Sequence, residues 1–433
     1  MNRKVFISVL GTGFYASCRY RKGDFVSSDT RFIQQATLEQ LNVKDWRETD
    51  TVLFLLTEGA KKNNWNESIE FRKNLKTGQD EPYCGLHTVL KNMSLPCRIQ
   101  ELHIPDGKTE EEMWEIFNLL FDVLQEKDEL YIDLTHSFRY LPMLVLVLEN
   151  YAKFLKDIEV SHISYGNFEL RDIEKNEAPM VDLLPLSTLQ DWTFAAADFI
   201  RNGDVDRLNQ LCTKSLNLLM KDAETRKNNP ELGLLKGYVK SLQEVTQDMK
   251  GCRGIHILEG GNIKTFFEYS QQLGEVVFPP MNPILKKIKD SFAGFVPSSD
   301  VKNGYLAAKW CFEHQMYQQA LTILHENIIS HVCELDQSDC KDESKRNFAK
   351  YALRFSLQEV GEEFWNLETE EEKERMRFLL QQEPVIKLAS TFMVTTNLRN
   401  DYNHAGMRTN PSKFDSMIRE LGKRIDKAYE MCI

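Results

Sequence analysis

Short apolar runs alternate with longer amphipathic stretches from residue 4 to about 165, and from about residue 186 onward strand-like runs stop altogether. That change of texture constrains the fold most. Runs at 4–10, 51–56, 98–104, 129–134 and 160–165 read as strands, and stretches at 32–41, 109–124 and 140–154 as helices. The alternation predicts a parallel sheet with helices on both faces, which places ligands beyond the carboxyl ends of the strands. The helix after residue 140 is apolar nearly all round, so we expect it to be covered both by its own sheet and by another subunit or domain.

The remainder predicts helices at 189–200, 205–219, 230–248, 303–335, 347–363, 370–406 and 411–432. Stretches 251–264 and 278–299, rich in Gly, Pro or Ser, read as connections. The expected organisation is an α/β domain over 1–185, a helical connecting region over 186–300 and an all-α domain over 301–433.

Composition excludes some functions. A net charge of −11 argues against unspecific binding to long duplex nucleic acid. It leaves room for a local site, since residues 391–433 carry seven Lys or Arg against five Asp or Glu. The longest apolar run, 143–148, is far too short for a membrane span, and the basic N-terminus leads straight into a first strand. The nine cysteines form no C-x-x-C pair, which indicates neither zinc nor a disulfide framework and suits a reducing cytoplasm.

Three loops leave strand ends with residues suited to a polar ligand. The first holds Gly11, Thr12, Gly13 and Tyr15, where the glycines allow close backbone approach. The second holds Thr57 and Glu58. The third is the richest, with Asp133, Thr135, His136, Ser137 and Arg139 where a strand gives way to a helix N-terminus. Structure explains them too, because Ser137 suits a helix cap and Asp133 and His136 could hold their loop together. The third glycine of a dinucleotide fingerprint is missing, so NAD is not expected.

Near the C-terminus, Leu398 to Gly406 reads Leu-Arg-Asn-Asp-Tyr-Asn-His-Ala-Gly. Arg399 offers a fork of donors for phosphate oxygens and His404 exchanges protons near neutrality, the two parts a metal-free RNA-cleaving site needs. Five residues separate them, about 140° around an ideal helix, so they flank the helix and converge best on something lying across it, such as a second copy. Gly406 offers a stop. The plain alternative is that both side chains meet the negative end of a helix dipole.

Taken together these residues resemble a known family. Val9 to Gly13, Tyr15 and Tyr20, Phe54 to Glu58 with Trp65, and Asp133 to Arg139 with Pro142 are similar to CRISPR-associated proteins marked by a D-x-T-H-G motif. The resemblance implies an N-terminal Rossmann-like CARF domain that senses cyclic oligoadenylates and a C-terminal helical HEPN ribonuclease domain. Arg399 and His404 match the R-x(4)-H motif of HEPN nucleases, with Asn400 as the polar residue after the arginine. Ser137 stands where the family has glycine, adding a side chain at a point of close approach. The implied protein is a homodimer in the cytoplasm, activated by cyclic oligoadenylate (cyclic tetra-adenylate is the expected ring), with single-stranded RNA as substrate and neither metal nor membrane involved. Two rival readings are a sensor or regulator without nuclease activity, and a ring nuclease that degrades its own activator.

Overall fold

A computed structural model describes residues 2–67, 70–74, 78–136, 140–219, 230–273 and 279–432. The chain divides into two compact units, Met1–Thr188 and Leu189–Ile433. Among the described residues no helix is long and apolar enough to cross a membrane.

The first unit is built on an eight-stranded sheet. Its strands are β1 (Lys4–Leu10), β2 (Arg19–Lys22), β3 (Phe25–Val26), β4 (Thr51–Leu56), β7 (Arg98–His103), β8 (Glu129–Asp133), β9 (Glu159–Gly166) and β10 (Glu177–Asp182), in the order β3-β2-β10-β9-β8-β1-β4-β7. The strands β5 (Phe71–Lys73) and β6 (Asp80–Pro82) form a separate antiparallel pair. Five strands, β9-β8-β1-β4-β7, run parallel as the alternation predicted. The rest is mixed, a departure from the all-parallel expectation, since β10 runs antiparallel to β9 and β3 antiparallel to β2.

Every residue of β4 is buried, as befits a central strand covered on both faces. Along β1 the side chains divide in the period of two: Val5, Ile7 and Val9 pack with α4 (Glu110–Val123) and α5 (Leu141–Lys156). Phe6 and Leu10 pack on the other side with Leu38 of α1 (Ile33–Gln40), with Trp65 and with Leu86 and Leu90 of α3 (Leu86–Met93). The short segment α2 (Glu58–Ala60) follows β4. On α5 the inner positions Leu141, Leu144, Val145 and Leu148 are buried. Its outer positions Met143, Val147, Tyr151, Phe154 and Leu155 are exposed, Phe154 by 86%, so among the described residues nothing supplies the second cover expected for this helix.

The helix α6 (Leu184–Asn202) spans the boundary, and the second unit continues with α7 (Asp206–Leu219), α8 (Pro230–Lys250), α9 (Gly254–Glu259), α10 (Gly261–Gln272) and α11 (Asn282–Asp290). There follow α12 (Val301–Glu313), α13 (Tyr317–Leu335), α14 (Glu343–Gln358), α15 (Glu370–Leu380), α16 (Glu383–Asn403) and α17 (Phe414–Tyr429). Two expected connections thus contain helices, α9 and α10 in one and α11 in the other. Two expected long helices are broken in two. One breaks where Gln315 takes a left-handed conformation (φ 61°), the other before Pro384 in the first turn of α16. A single hydrophobic core joins Trp192, Phe199, Leu242, Phe292, Trp310, Leu324 and Leu421, so residues expected to be a connecting region are part of the same core as the C-terminal helices.

Candidate functional site

Two groups of singled-out residues occupy the two units. In the first unit, β8, β1 and β4 are immediate neighbours, so the loops at their carboxyl ends emerge side by side. The loops also touch. The Tyr15 ring stacks on His136 with centroids 4.0 Å apart, and a Cβ on Gly11 would lie 2.6 Å from the Tyr15 hydroxyl and 3.5 Å from the His136 Cβ. A Cβ on Gly59 would lie 3.1 Å from the Thr12 methyl. Thr12, Gly13 and Glu58 are exposed at this rim.

Other residues build the loops rather than face outward. Asp133 is buried; it accepts hydrogen bonds from the Ser8 hydroxyl at 2.6 Å and from the Thr135 hydroxyl at 2.5 Å. Burial pushes its pKa up, with Ser8 and Thr135 opposing. Thr135 Oγ1 in turn accepts from the Gly166 N–H at 2.8 Å, tying the third loop to β9. Thr57 is buried and caps α2 by accepting from the Ala60 N–H. Burial lowers the His136 pKa to about 4, so at neutral pH it is an uncharged imidazole whose buried Nε2 has no hydrogen-bond partner among the described residues. Ser137 and Arg139 lie outside the described residues.

Sequence reasoning missed the brace beneath the first loop. Asn64 donates to the Gly11 and Gly13 carbonyls at 2.7 and 2.9 Å, and Arg72 donates to those of Gly13 and Thr12 at 2.7 and 2.6 Å. Arg31 holds the Tyr15 carbonyl at 2.8 Å. Both arginines lie over the rings of Phe14 and Tyr83. No periodicity or spacing marks these side chains, since each is fixed by a partner far away in the chain.

In the second unit Arg399, Asn400 and His404 stand at the end of α16. Asn403 is its last residue, and His404 follows with φ −89° and ψ 13°. The Gly406 N–H bonds the Asp401 carbonyl at 2.9 Å and the Ala405 N–H that of Tyr402 at 3.0 Å, the pattern of a Schellman end. The left-handed turn expected at Gly406 therefore begins one residue earlier, at Ala405 (φ 53°), where a Cβ costs about 1 kcal/mol. Asn400 and His404 are exposed, while Arg399 keeps 29% of its side-chain surface open and forms an ion pair with Glu326 at 2.7 Å. Asp401 accepts from the Ser412 N–H at 2.7 Å and so pins the loop that follows the motif. Burial works against the Glu326 carboxylate, yet the Arg346 guanidinium beside it helps to hold its pKa well below the carboxylate range.

A known family matches within the first of these units. Residues 5–169 match the family described as CRISPR system endoribonuclease Csx1, CARF domain. The sheet unit is similar to a CARF domain. CRISPR-associated protein MJ1674 of Methanocaldococcus jannaschii is 25% identical over 232 residues, 53% of this chain. The match spans 33% of that relative's length. The motif at Arg399 lies outside the residues matched to the CARF family.

Two expectations arise from this unit. Gly11→Ala should drive the Tyr15 hydroxyl from its seat and unstack His136, costing about 1–3 kcal/mol of stability; thermal unfolding measures the loss, and an unchanged midpoint would contradict the close approach. The second concerns acid. His162 on β9 is 5% exposed with an unpartnered Nε2, and burial, aided by Lys22, lowers its pKa to about 4. As pH falls through the ordinary value the unfolded chain takes the proton first, so stability is lost between about pH 6.5 and 4, up to about 3 kcal/mol. Urea unfolding of His162→Gln should show a shallower loss over that window.

Proposed function

We propose that this chain is a metal-independent endoribonuclease of the HEPN type, switched on by a cyclic oligoadenylate at its CARF-like unit and acting in antiviral CRISPR defence. The observation that carries the reading is the end of α16, where Arg399 is braced by Glu326 yet open to solvent, five residues before an exposed His404. The 2′-hydroxyl gives its proton to a base and attacks its own phosphodiester, Arg399 stabilises the pentavalent phosphorane, and the P–O5′ bond breaks as an acid protonates the departing 5′-oxygen, His404 serving as the base or the acid. Asn400 orients one of them. The products carry cyclic 2′,3′-phosphate ends. The activator, expected to be cyclic tetra-adenylate, meets the rim at Gly11, Thr12, Gly13, Tyr15, Glu58 and His136; Thr57, Asp133 and Thr135 shape that rim from below. Its binding biases the helical unit toward the cleaving state.

The active form is a homodimer in this reading. Two observations support it: the angular separation of Arg399 and His404, and the exposed apolar line Met143, Val147, Tyr151 and Phe154 on α5. Val147→Asp with Phe154→Asp should convert the protein to a monomer and remove activated cleavage. Light scattering that still reports a dimer would move the interface elsewhere.

The deciding experiment incubates labelled single-stranded RNA with the protein in EDTA, with and without cyclic tetra- or hexa-adenylate. Cleavage that needs one of the rings and ignores the chelator is expected. Cleavage abolished by EDTA, or absent with every ring, overturns the reading.

A further inference from the structure

Two consecutive residues of α13, His325 and Glu326, stand against Arg399 although no motif singles them out. Arg399 Nη1 lies 2.7 Å from His325 Nδ1 and 2.7 Å from Glu326 Oε1. A guanidinium nitrogen only donates, so both partners must accept. His325 then carries its proton on Nε2, 3.0 Å from the Thr396 hydroxyl, which donates in turn to the Phe392 carbonyl at 2.8 Å. The relay is directional, from Arg399 through His325 and Thr396 to the backbone. His325 is also stacked on Phe392, with ring centroids 4.8 Å apart and only 8% of its side chain exposed. Glu326 gives its second oxygen to Arg346 of α14 at 2.7 Å, and Arg346 is anchored on the Ser330 hydroxyl and the Cys340 carbonyl.

We propose that uncharged His325, together with Glu326, is a positioning residue for RNA cleavage, fixing the guanidinium of Arg399 through a bare Nδ1; this rests on the ribonuclease reading above. Protonation would reverse the device. A hydrogen on Nδ1 would face the guanidinium and turn toward Glu326 Oε1, 3.1 Å away, releasing Arg399. The charged groups facing His325 are Glu326 on its own helix, Arg399 on α16 and Lys350 on α14, with Arg346 reaching it through Glu326. Burial pushes the imidazole below its ordinary pKa against the pull of Glu326, and Arg399 and Lys350 add to the lowering. The neutral form is thus the resting one at neutral pH. His325 acts through Arg399 and is assigned no contact with RNA.

The test uses the full chain with its activating ring and compares His325→Asn, which keeps an acceptor near the Nδ1 position, with His325→Phe, which keeps the stacked ring but loses it. The Phe variant should lower kcat roughly 10–100-fold with KM little changed, and the Asn variant should recover most of the rate. Thermal unfolding of both variants checks that the helices hold. Equal losses in the two variants overturn the proposal. Nitrogen-15 NMR of labelled histidines supplies a readout that does not depend on cleavage. One histidine should be locked with a bare Nδ1, and Arg399→Ala should shift its signals. A proton on Nδ1 at neutral pH, or signals indifferent to Arg399→Ala, also overturns the proposal. A chain that shows the lock but cuts no RNA with any ring overturns the ribonuclease reading, and the positioning role with it, while the contact stands.

Discussion

His404→Ala is expected to lower activated RNA cleavage by about 10²–10⁴-fold, the usual worth of a positioned acid or base. His404 is exposed at a helix end, so its removal takes away little packing and the chain should melt as the wild type does. Arg399→Ala should be as severe for a different reason. It strips the phosphate of its donor and leaves Glu326 facing the site with only Arg346 to balance it. Arg399→Lys should rescue poorly, because one nitrogen of the guanidinium serves two acceptors on α13 while the rest of the fork stays free for phosphate. Isothermal titration with the activating ring should show unchanged affinity in all three variants, whose substitutions lie in the second unit. Cleavage within a few-fold of wild type in both alanine variants would remove the site from the end of α16.

The second large effect is expected where α12 packs on α13. A Cβ on Gly304 of α12 would lie 1.9 Å from Asn327 Oδ1 on α13, and Asn327 is held by donating to the Val301 carbonyl at 3.0 Å. Gly304→Ala must push the two helices apart or expel Asn327, at a cost of about 3 kcal/mol. For a unit of this size that lowers the melting temperature by roughly 6–12 °C. Since Asn327 follows Glu326, activity should fall as well. The control is Gly233→Ala on α8, where among the described residues no atom beyond the helix's own turn lies within 4 Å of the added Cβ, and there helix propensity should give a gain of about 0.5–1 kcal/mol. Equal melting of the two variants would refute the argument from close approach.

The central parallel strands were legible because they are buried on both faces and read as unbroken apolar runs. The edge was not. β10 contains Pro179, which argues against an interior strand, and the structure shows how it is tolerated. Residues 177–179 pair with β2 and residues 180–182 with β9, so the strand changes partner at the proline. The break between α12 and α13 was equally hidden, since Gln315 adopts a left-handed backbone with neither glycine nor proline to announce it. Pro384 stands in the first turn of α16, a start signal that the sequence reading of one helix over 370–406 did not use. The loops and the motif were visible because their residues are adjacent in the chain. Their supports were not, as His325 and Glu326 meet Arg399 across more than seventy residues and Arg72 meets Thr12 across sixty.

Because the three loops leave strands that are immediate neighbours, the rim inherits a fixed gauge from the sheet, roughly 10 Å across two inter-strand gaps. Backbone hydrogen bonding sets that length, and no side-chain replacement in the loops alters it. Point substitutions at Thr12 or Glu58 can therefore tune how tightly the proposed ligand is gripped. Choosing between smaller and larger rings requires a second scale, and in the proposed symmetric pair that scale is the distance between the two copies of the gauge. Ring-size preference should then follow the packing of α5 more closely than the chemistry of the loops.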